Sequence, residues 1–342
     1  MASKTGEAVK LIPYEDQYLE ETLALFKRFS PDHPELGQGD ILKWQKCYRF
    51  VAMHHGKIVG YIAQIPHEFK YGKKSGRDGM EHIGWAVTLV LDMSDVQIRK
   101  LAGRGLLAKC ENNSPWQYSG VGMVPAVEGP YIRRGHAIRR DCSKMYARFM
   151  RPATTLKYIG KSSIYAPAIS LVNTFLVAPR DVRHGRVEKI KEFKPEWDEI
   201  WSKLMTEQYE LYGVRDAEYL NYKLTQPNRD YNIYVHVDET DDALDGYIVF
   251  RHATHRTKDL NLVKVCDLVG TNKAKVELLT LAVKLAYEVR AYGIVAMGSY
   301  SEEKMYRRGG LYISKPYAIA MPPHIKAKMH ISFFDSDLDN LW

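Results

Sequence analysis

Tyr131-Ile-Arg-Arg-Gly135-His136 and Tyr306-Arg-Arg-Gly-Gly310-Leu311 are the stretches that decide how this chain is read. Both set a tyrosine four residues before a glycine, with arginines between. Both follow acidic residues, Glu128 in the first and Glu302 and Glu303 in the second. Working outward, a second echo precedes each copy. His55-Gly-Lys-Ile-Val-Gly-Tyr-Ile-Ala is a turn entering a β-branched strand, and Leu244-Asp-Gly-Tyr-Ile-Val-Phe repeats it, so Gly60-Tyr61-Ile62 aligns with Gly246-Tyr247-Ile248. Earlier still, the strand-like Ala8–Pro13 leads into a helix with apolar spacing from Glu15 to Phe29. Val187–Phe193 leads in the same way into a helix over Glu196–Met205. Three features in one order, at similar separations, predict two copies of one α/β unit.

The composition agrees with two domains. The chain has 342 residues, 45% hydrophobic and 26% charged, enough for two buried cores and too apolar for a disordered chain. The predicted division is 1–152, a connector over 153–186 and a second unit over 187–342. Lys and Arg number 49 against 41 Asp and Glu, a net +8 that leaves an anionic partner open. Cys47, Cys110, Cys142 and Cys266 form no CxxC pair and have no His at ligand spacing. They read as reduced, buried thiols of a cytoplasmic protein, with no zinc or other metal site. The N-terminus has no apolar core of a secretory signal. The least polar stretch, Ser163–Pro179, is too short to span a bilayer and is broken by Pro167, so a buried connector is expected and no membrane partner.

The chemistry is sought first in Ile83–Asp92, a strand apolar enough to be central. Ser94 or Asp95 can cap the helix that follows. Inside that helix's early part lies Arg99-Lys100-Leu-Ala-Gly103-Arg104-Gly105. Closely spaced glycines flanked by cations at a strand-to-helix junction suit a pyrophosphate, because the backbone can approach and N–H groups point at the anion. The same residues also read as helix-packing glycines beside a solvated basic face.

A central strand, this Lys100-to-Gly105 pattern, a helix and then Tyr131-x-x-x-Gly135-His resemble the GNAT (Gcn5-related N-acetyltransferase) superfamily, with Lys for the usual Arg or Gln and His136 for an aromatic. The resemblance implies an α/β (α+β) chain of two tandem GNAT-like domains, each a mixed, mostly antiparallel twisted sheet flanked by helices. The first would bind acyl-CoA and be catalytic. The second, whose junction reads Gly270-Thr-Asn-Lys-Ala-Lys, would be a degenerate, supporting copy.

The resemblance further implies an N-acyltransferase that moves an acetyl or acyl group from acetyl-CoA (acyl-CoA) to a primary amine. Tyr131 would protonate the leaving thiolate, and Asp92, Glu81 or Glu128 would take the amine proton. Backbone N–H groups near Val90 and Leu91 would polarise the thioester carbonyl, with Arg99, Lys100, Gly103, Arg104 and Gly105 at the pyrophosphate. Trp44, His67 and Trp85 are the acceptor-pocket candidates, with His54 and His55 around the same early strands and Trp116 in a loop after Pro115 that could face the acceptor. The arginines at 133, 134, 139, 140, 148 and 151 form the densest basic cluster. They keep open a nucleic-acid acceptor, either tRNA in a FemABX-like aminoacyl transferase or a DNA base. A non-catalytic binding protein on the same fold is the remaining alternative.

Overall fold

A computed structural model describes residues 8–31, 39–121, 125–158, 160–173, 185–255 and 260–335. The first half runs β1 (Lys10–Pro13), α1 (Leu19–Phe29), α2 (Asp40–Trp44), β2 (Tyr48–His54), β3 (Lys57–Tyr71), β4 (Met80–Leu91), α3 (Val96–Asn113), β5 (Gln117–Val121), α4 (Pro125–Arg133) and β6 (Ala137–Phe149). Two short helices follow, α5 (Pro152–Tyr158) and α6 (Ala166–Leu171). The second half repeats the series as β7 (Gly185–Ile190), α7 (Asp198–Gln208), β8 (Leu211–Gly213), α8 (Ala217–Leu224), β9 (Tyr231–Asp238), β10 (Leu244–His255), β11 (Leu260–Gly270), α9 (Asn272–Glu288), β12 (Gly293–Ser299), α10 (Glu303–Arg308) and β13 (Ile313–Met321). A short β14 (Met329–His330) and a single 3-10 turn over Phe333–Asp335 complete the described chain.

The strands form one sheet in the order β1-β2-β3-β4-β5-β13-β6-β12-β11-β10-β9-β7. Mostly antiparallel, it becomes parallel at β4–β5 and again at β11–β12. Each half gives its closing strand to the other. The place beside β5 is filled by β13, and the place beside β12 is filled by β6. β6 and β13 then pair with each other at the centre. The two halves are thus sewn into one body, and three of the four core clusters mix residues of both, as where Trp85 shares a cluster with Met297 and Ile331.

The repeated motif has one local cause in both halves. Gly135 (φ +84°) and Gly310 (φ +98°) take the left-handed turn that ends α4 and α10. His136 N–H and Leu311 N–H donate back to the Tyr131 and Tyr306 carbonyls. The tyrosine rings then lie on glycines of the neighbouring strands, Tyr131 on Gly120 and Tyr306 on Gly298. Each ring stacks on a second tyrosine, Tyr118 at 5.3 Å and Tyr146 at 4.0 Å. Gly60 and Gly246 also have matching duties, packing against Leu106 of α3 and Ala274 of α9.

One expectation is overturned. The apolar connector is mostly not buried where it is described: Ile164, Tyr165 and Leu171 are exposed, and of its described residues Ala166 and Asn173 turn inward. Short helices of six or seven residues cannot present a broad face to the sheet. Residues 174–184, the rest of that connector, lie outside the described residues.

The glycine–tyrosine pairs give a paired prediction. A Cβ at Gly120 would sit 2.6 Å from Tyr131 Cζ, and one at Gly298 would sit 2.5 Å from Tyr306 Cε2. Gly120→Ala and Gly298→Ala should therefore each cost about 1–3 kcal/mol, read from the denaturant midpoint. An unchanged midpoint in both would show that the rings do not pack there.

Candidate functional site

β4 and β5 pair from Ile83–Gln117 to Ala86–Gly120 and then part, leaving a cleft that opens toward their C-terminal ends. A bulge in β4 helps to open it. Tyr61 pairs with Val90 but Ala63 pairs with Val87, and Thr88 takes φ +54°. Asp92 N–H donates to Val59 O on β3. The alternation of a strand then turns the Leu91 N–H toward the cleft and the Val90 N–H toward β3. Beside the paired residues, Trp85 Nε1 and Ser119 Oγ on one face of the sheet and Gln64 Oε1 on the other are buried and have no hydrogen-bond partner among the described residues.

Tyr131 stands on the β5 side of the cleft. It is buried, its hydroxyl lies 3.0 Å from the Tyr118 hydroxyl, and burial pushes its pKa up to about 12. It is a neutral phenol at ordinary pH.

Gly103 and Gly105 do not form a loop. They lie within α3, past its second turn, where their N–H groups belong to the helix ladder. Their lack of a side chain is explained by packing: a Cβ would sit 3.0 Å from Leu91 Cδ1 at Gly103 and 2.4 Å from Leu11 Cδ1 at Gly105. The helix start is Asp95, whose carboxylate accepts from Gln97 N–H at 2.7 Å and Ile98 N–H at 3.0 Å. An anion already occupies the place a glycine loop would offer to a phosphate. Arg99, Lys100 and Arg104 lie on the outer side of α3, Lys100 and Arg104 exposed and Arg99 half-buried.

The three carboxylates proposed from sequence are spoken for. Burial opposes ionisation of Asp92, but the Ser94 hydroxyl and N–H hold its carboxyl below the usual range, which makes it a weak base. Glu81 accepts from Tyr71 OH at 2.6 Å and Gln117 Nε2 at 2.7 Å, at the far end of β4 from the open cleft. Glu128 pairs with Arg140. Trp85 is fully buried against Phe69 and does not reach an open cavity. His54 and His55 sit at the β2–β3 turn.

Trp44 and His67 do meet. β3 leaves β2 after Gln64 and joins β8 from Phe69, and a cavity of about 310 Å³ fills the gap. Its walls include Trp44, Trp116, Tyr219, Tyr222 and Lys223, with His67 among them. Trp44 stacks on Tyr222 at 4.8 Å and donates from Nε1 to Thr225. Since Ile65 pairs with Trp85 and His67 with Ile83, this cavity borders the closed end of the cleft across one strand pair.

Behind His67 lies a buried ionic network that no sequence motif announced. Arg215 Nε donates to Asp267 Oδ2 at 2.8 Å, and Arg215 Nη2 donates to Asp335 Oδ2 at 2.7 Å. His67 Nε2 is 2.8 Å from Asp335 Oδ1. Tyr247 OH donates to Asp267 Oδ2 at 2.8 Å. Gly213 leaves the room for this: a Cβ there would lie 2.2 Å from both His67 Nε2 and Asp335 Oδ1. Burial lowers the His67 pKa, so the imidazole is neutral. Burial opposes ionisation of Asp335 as well, but Arg215 and His67 hold its carboxyl well below the usual range. These residues come from positions 67, 215, 267 and 335, and only the fold joins them.

The arginine cluster is largely satisfied within the protein. Arg134 pairs with Glu111, Arg139 with Asp141 and Arg140 with Glu128, while Arg148 is buried against the Gly310 and Asn173 carbonyls. No group of three or more His, Cys, Asp or Glu is arranged to hold a metal ion among the described residues. No helix among them is long and apolar enough to cross a membrane.

The network predicts an acid sensitivity. A carboxyl held below its unfolded value of about 3.9 contributes stability above that pH and loses it as pH falls. Asp335→Asn should lower stability by about 3–5 kcal/mol at neutral pH by leaving Arg215 short of a partner. It should also flatten the fall in stability between pH 5 and 3, followed by denaturant unfolding at each pH. An unchanged acid limb would show that Asp335 is not ionised in the fold.

No protein-family model matches the sequence, and no curated protein matches it significantly. Solved structures do match. A conserved protein of Enterococcus faecalis V583, described as a probable N-acyltransferase, aligns at 9% identity with a TM-score of 0.59, covering 92% of this chain and 72% of that one. A GCN5-related N-acetyltransferase from Anabaena variabilis aligns at 12% identity and 0.56, covering 91% and 72%. Saccharomyces cerevisiae N-myristoyltransferase with bound myristoyl-CoA aligns at 11% identity and 0.57, covering 93% and 84%. The chain has the GCN5-related N-acetyltransferase fold, in a doubled form similar to that of N-myristoyltransferase.

Proposed function

We propose that the chain is an acyl-CoA-dependent N-acyltransferase, with the donor in the β4–β5 cleft of residues 1–152 and with residues 187–342 completing the acceptor side. The observation that carries this reading is the cleft itself. Its β4 wall is bulged at Thr88 and the Leu91 N–H faces the opening. The structures it resembles include one with bound myristoyl-CoA. The cleft suits the slender arm of a thioester. The phosphates would have to be met by Arg99, Lys100 and Arg104, because Asp95 occupies the helix start.

The thioester supplies an activated acyl carbon and a thiolate leaving group. In this reading the Leu91 N–H polarises the carbonyl oxygen. Tyr131, a neutral phenol on the cleft wall, gives its proton to the departing sulfur in this reading. The acceptor enters the neighbouring cavity, where Trp44, Trp116 and Tyr222 offer flat apolar surface. An amine must be neutral to attack. His67, neutral and backed by Asp335, stands opposite Ile83 at the same end of β4 as Glu81, so in this reading it lines the acceptor cavity and does not take the proton. The cavity's size supports a small primary amine or one exposed end of a larger molecule. With the arginine cluster paired internally, no observation favours a nucleic-acid acceptor. Cys110, Cys142 and Cys266 are buried and form no disulfide, which suits a cytoplasmic setting.

Acetyl-CoA should raise the thermal midpoint, since a ligand at 100 times its Kd adds about 2.7 kcal/mol. No rise at millimolar acetyl-CoA or a longer acyl-CoA would sink the reading. Tyr131→Phe should lower turnover about 100-fold while leaving that thermal shift intact. An equal turnover would remove Tyr131 as the acid.

A further inference from the structure

The second half has a cleft of its own, and its character is opposite to that of the first. β11 and β12 pair in parallel from Leu262–Gly293 to Val265–Ala296 and then part, as β4 and β5 do. Here the cleft is plugged. Lys275 Nζ lies 2.5 Å from Glu302 Oε1, 2.7 Å from Gln208 Oε1 and 3.1 Å from Tyr209 OH. Gln208 Nε2 in turn donates to Gly270 O at 2.7 Å. Lys275, Glu302 and Tyr209 are buried, so no extended arm can pass between the strands.

Above the plug a cavity of about 330 Å³ stays open. Lys74, Lys275, Lys304 and Arg308 line it, against a single carboxylate, Glu302. That carboxylate is matched by Lys275. Lys74, Lys304 and Arg308 have no acidic partner among the described residues, and they converge from the loop after β3 and from α10. Asn272 and Ser301 add neutral donors on the rim. Three unmatched cations around one concave space focus a positive potential on it. An arginine fork beside lysines and a hydroxyl matches the several oxygens of a phosphate better than a lone carboxylate.

We infer that this cavity is a second ligand site, selective for a small phosphate- or diphosphate-bearing molecule with no arm to thread between the strands. The site goes beyond the N-acyltransferase reading and stands whether or not that reading holds. Its chemistry is the phosphate group, carried free or on a small organic molecule. Because the cations lie on the surface while the plug is buried, occupancy does not require the cleft to open.

The test uses the full chain and inorganic pyrophosphate, titrated by calorimetry at low and at physiological salt. One equivalent should bind, more weakly at the higher salt. The double variant Lys304→Gln, Arg308→Gln should bind at least about tenfold more weakly, about 1.4 kcal/mol. Its ligand-free thermal midpoint should match the wild type, because both side chains are exposed. Any thermal shift given by acetyl-CoA should be the same in both proteins. No binding at millimolar pyrophosphate, or equal affinity in the double variant, would overturn the site. Displacement of pyrophosphate by acetyl-CoA at a single locus would overturn its independence, whereas acetyl-CoA without effect on either protein would count against the acyltransferase reading alone.

Discussion

The backbone ladder at the centre of the sheet is the constraint on which the rest depends. β6 lies between β13 and β12, and β13 lies between β5 and β6. Every hydrogen bond in those ladders joins a strand to one supplied, on one side, by the other half. Neither half can close its sheet without the other, so the two repeats cannot act as beads on a string. An edge strand left by removing either half would expose unpaired N–H and C=O groups. This exchange also fixes where α4 and α10 must end, because the chain has to turn through Gly135 and Gly310 directly into the exchanged strands.

The exchange has a chemical consequence. With the halves locked together, residues from both can share one buried interior. Arg215 and Asp267 from the second half meet His67 from the first and Asp335 from the end of the described chain. Burying such charges is costly unless all are paired, and here the carboxylates find a guanidinium, a phenol, an imidazole and a backbone N–H. The network fixes His67 at the wall of an aromatic cavity, where burial keeps the imidazole neutral although Asp335 favours its charged form. It also explains why Gly213 carries no side chain.

Duplication has left two clefts with different contents. In the first, α3 starts five residues after β4 and carries its own cap, Asp95. In the second, α9 starts at once after Gly270 and Thr271, and the splay is stoppered by Lys275 and Glu302. The junction that looked degenerate in sequence is the one ringed by unmatched cations, and the glycine pair that looked like a phosphate loop is buried helix packing. Spacing alone could not separate these cases. A glycine inside a helix and a glycine at its mouth read alike until the helix start is known.

The sequence by itself determined the repeat, the order of strands and helices, and the matching Tyr131–Gly135 and Tyr306–Gly310 turns. These follow from local rules: alternation, helical spacing and the left-handed conformation that glycine accepts. It also singled out Trp44 and His67, which the fold brings to one cavity. Only the tertiary structure decided the strand exchange, the ionic network and the fate of Glu81, Asp92 and Glu128. Each of these depends on partners far apart in the chain, such as Glu81 with Gln117 or Asp335 with Arg215. A side chain's availability for chemistry is set by what packs around it, and that is a property of the folded chain rather than of spacing.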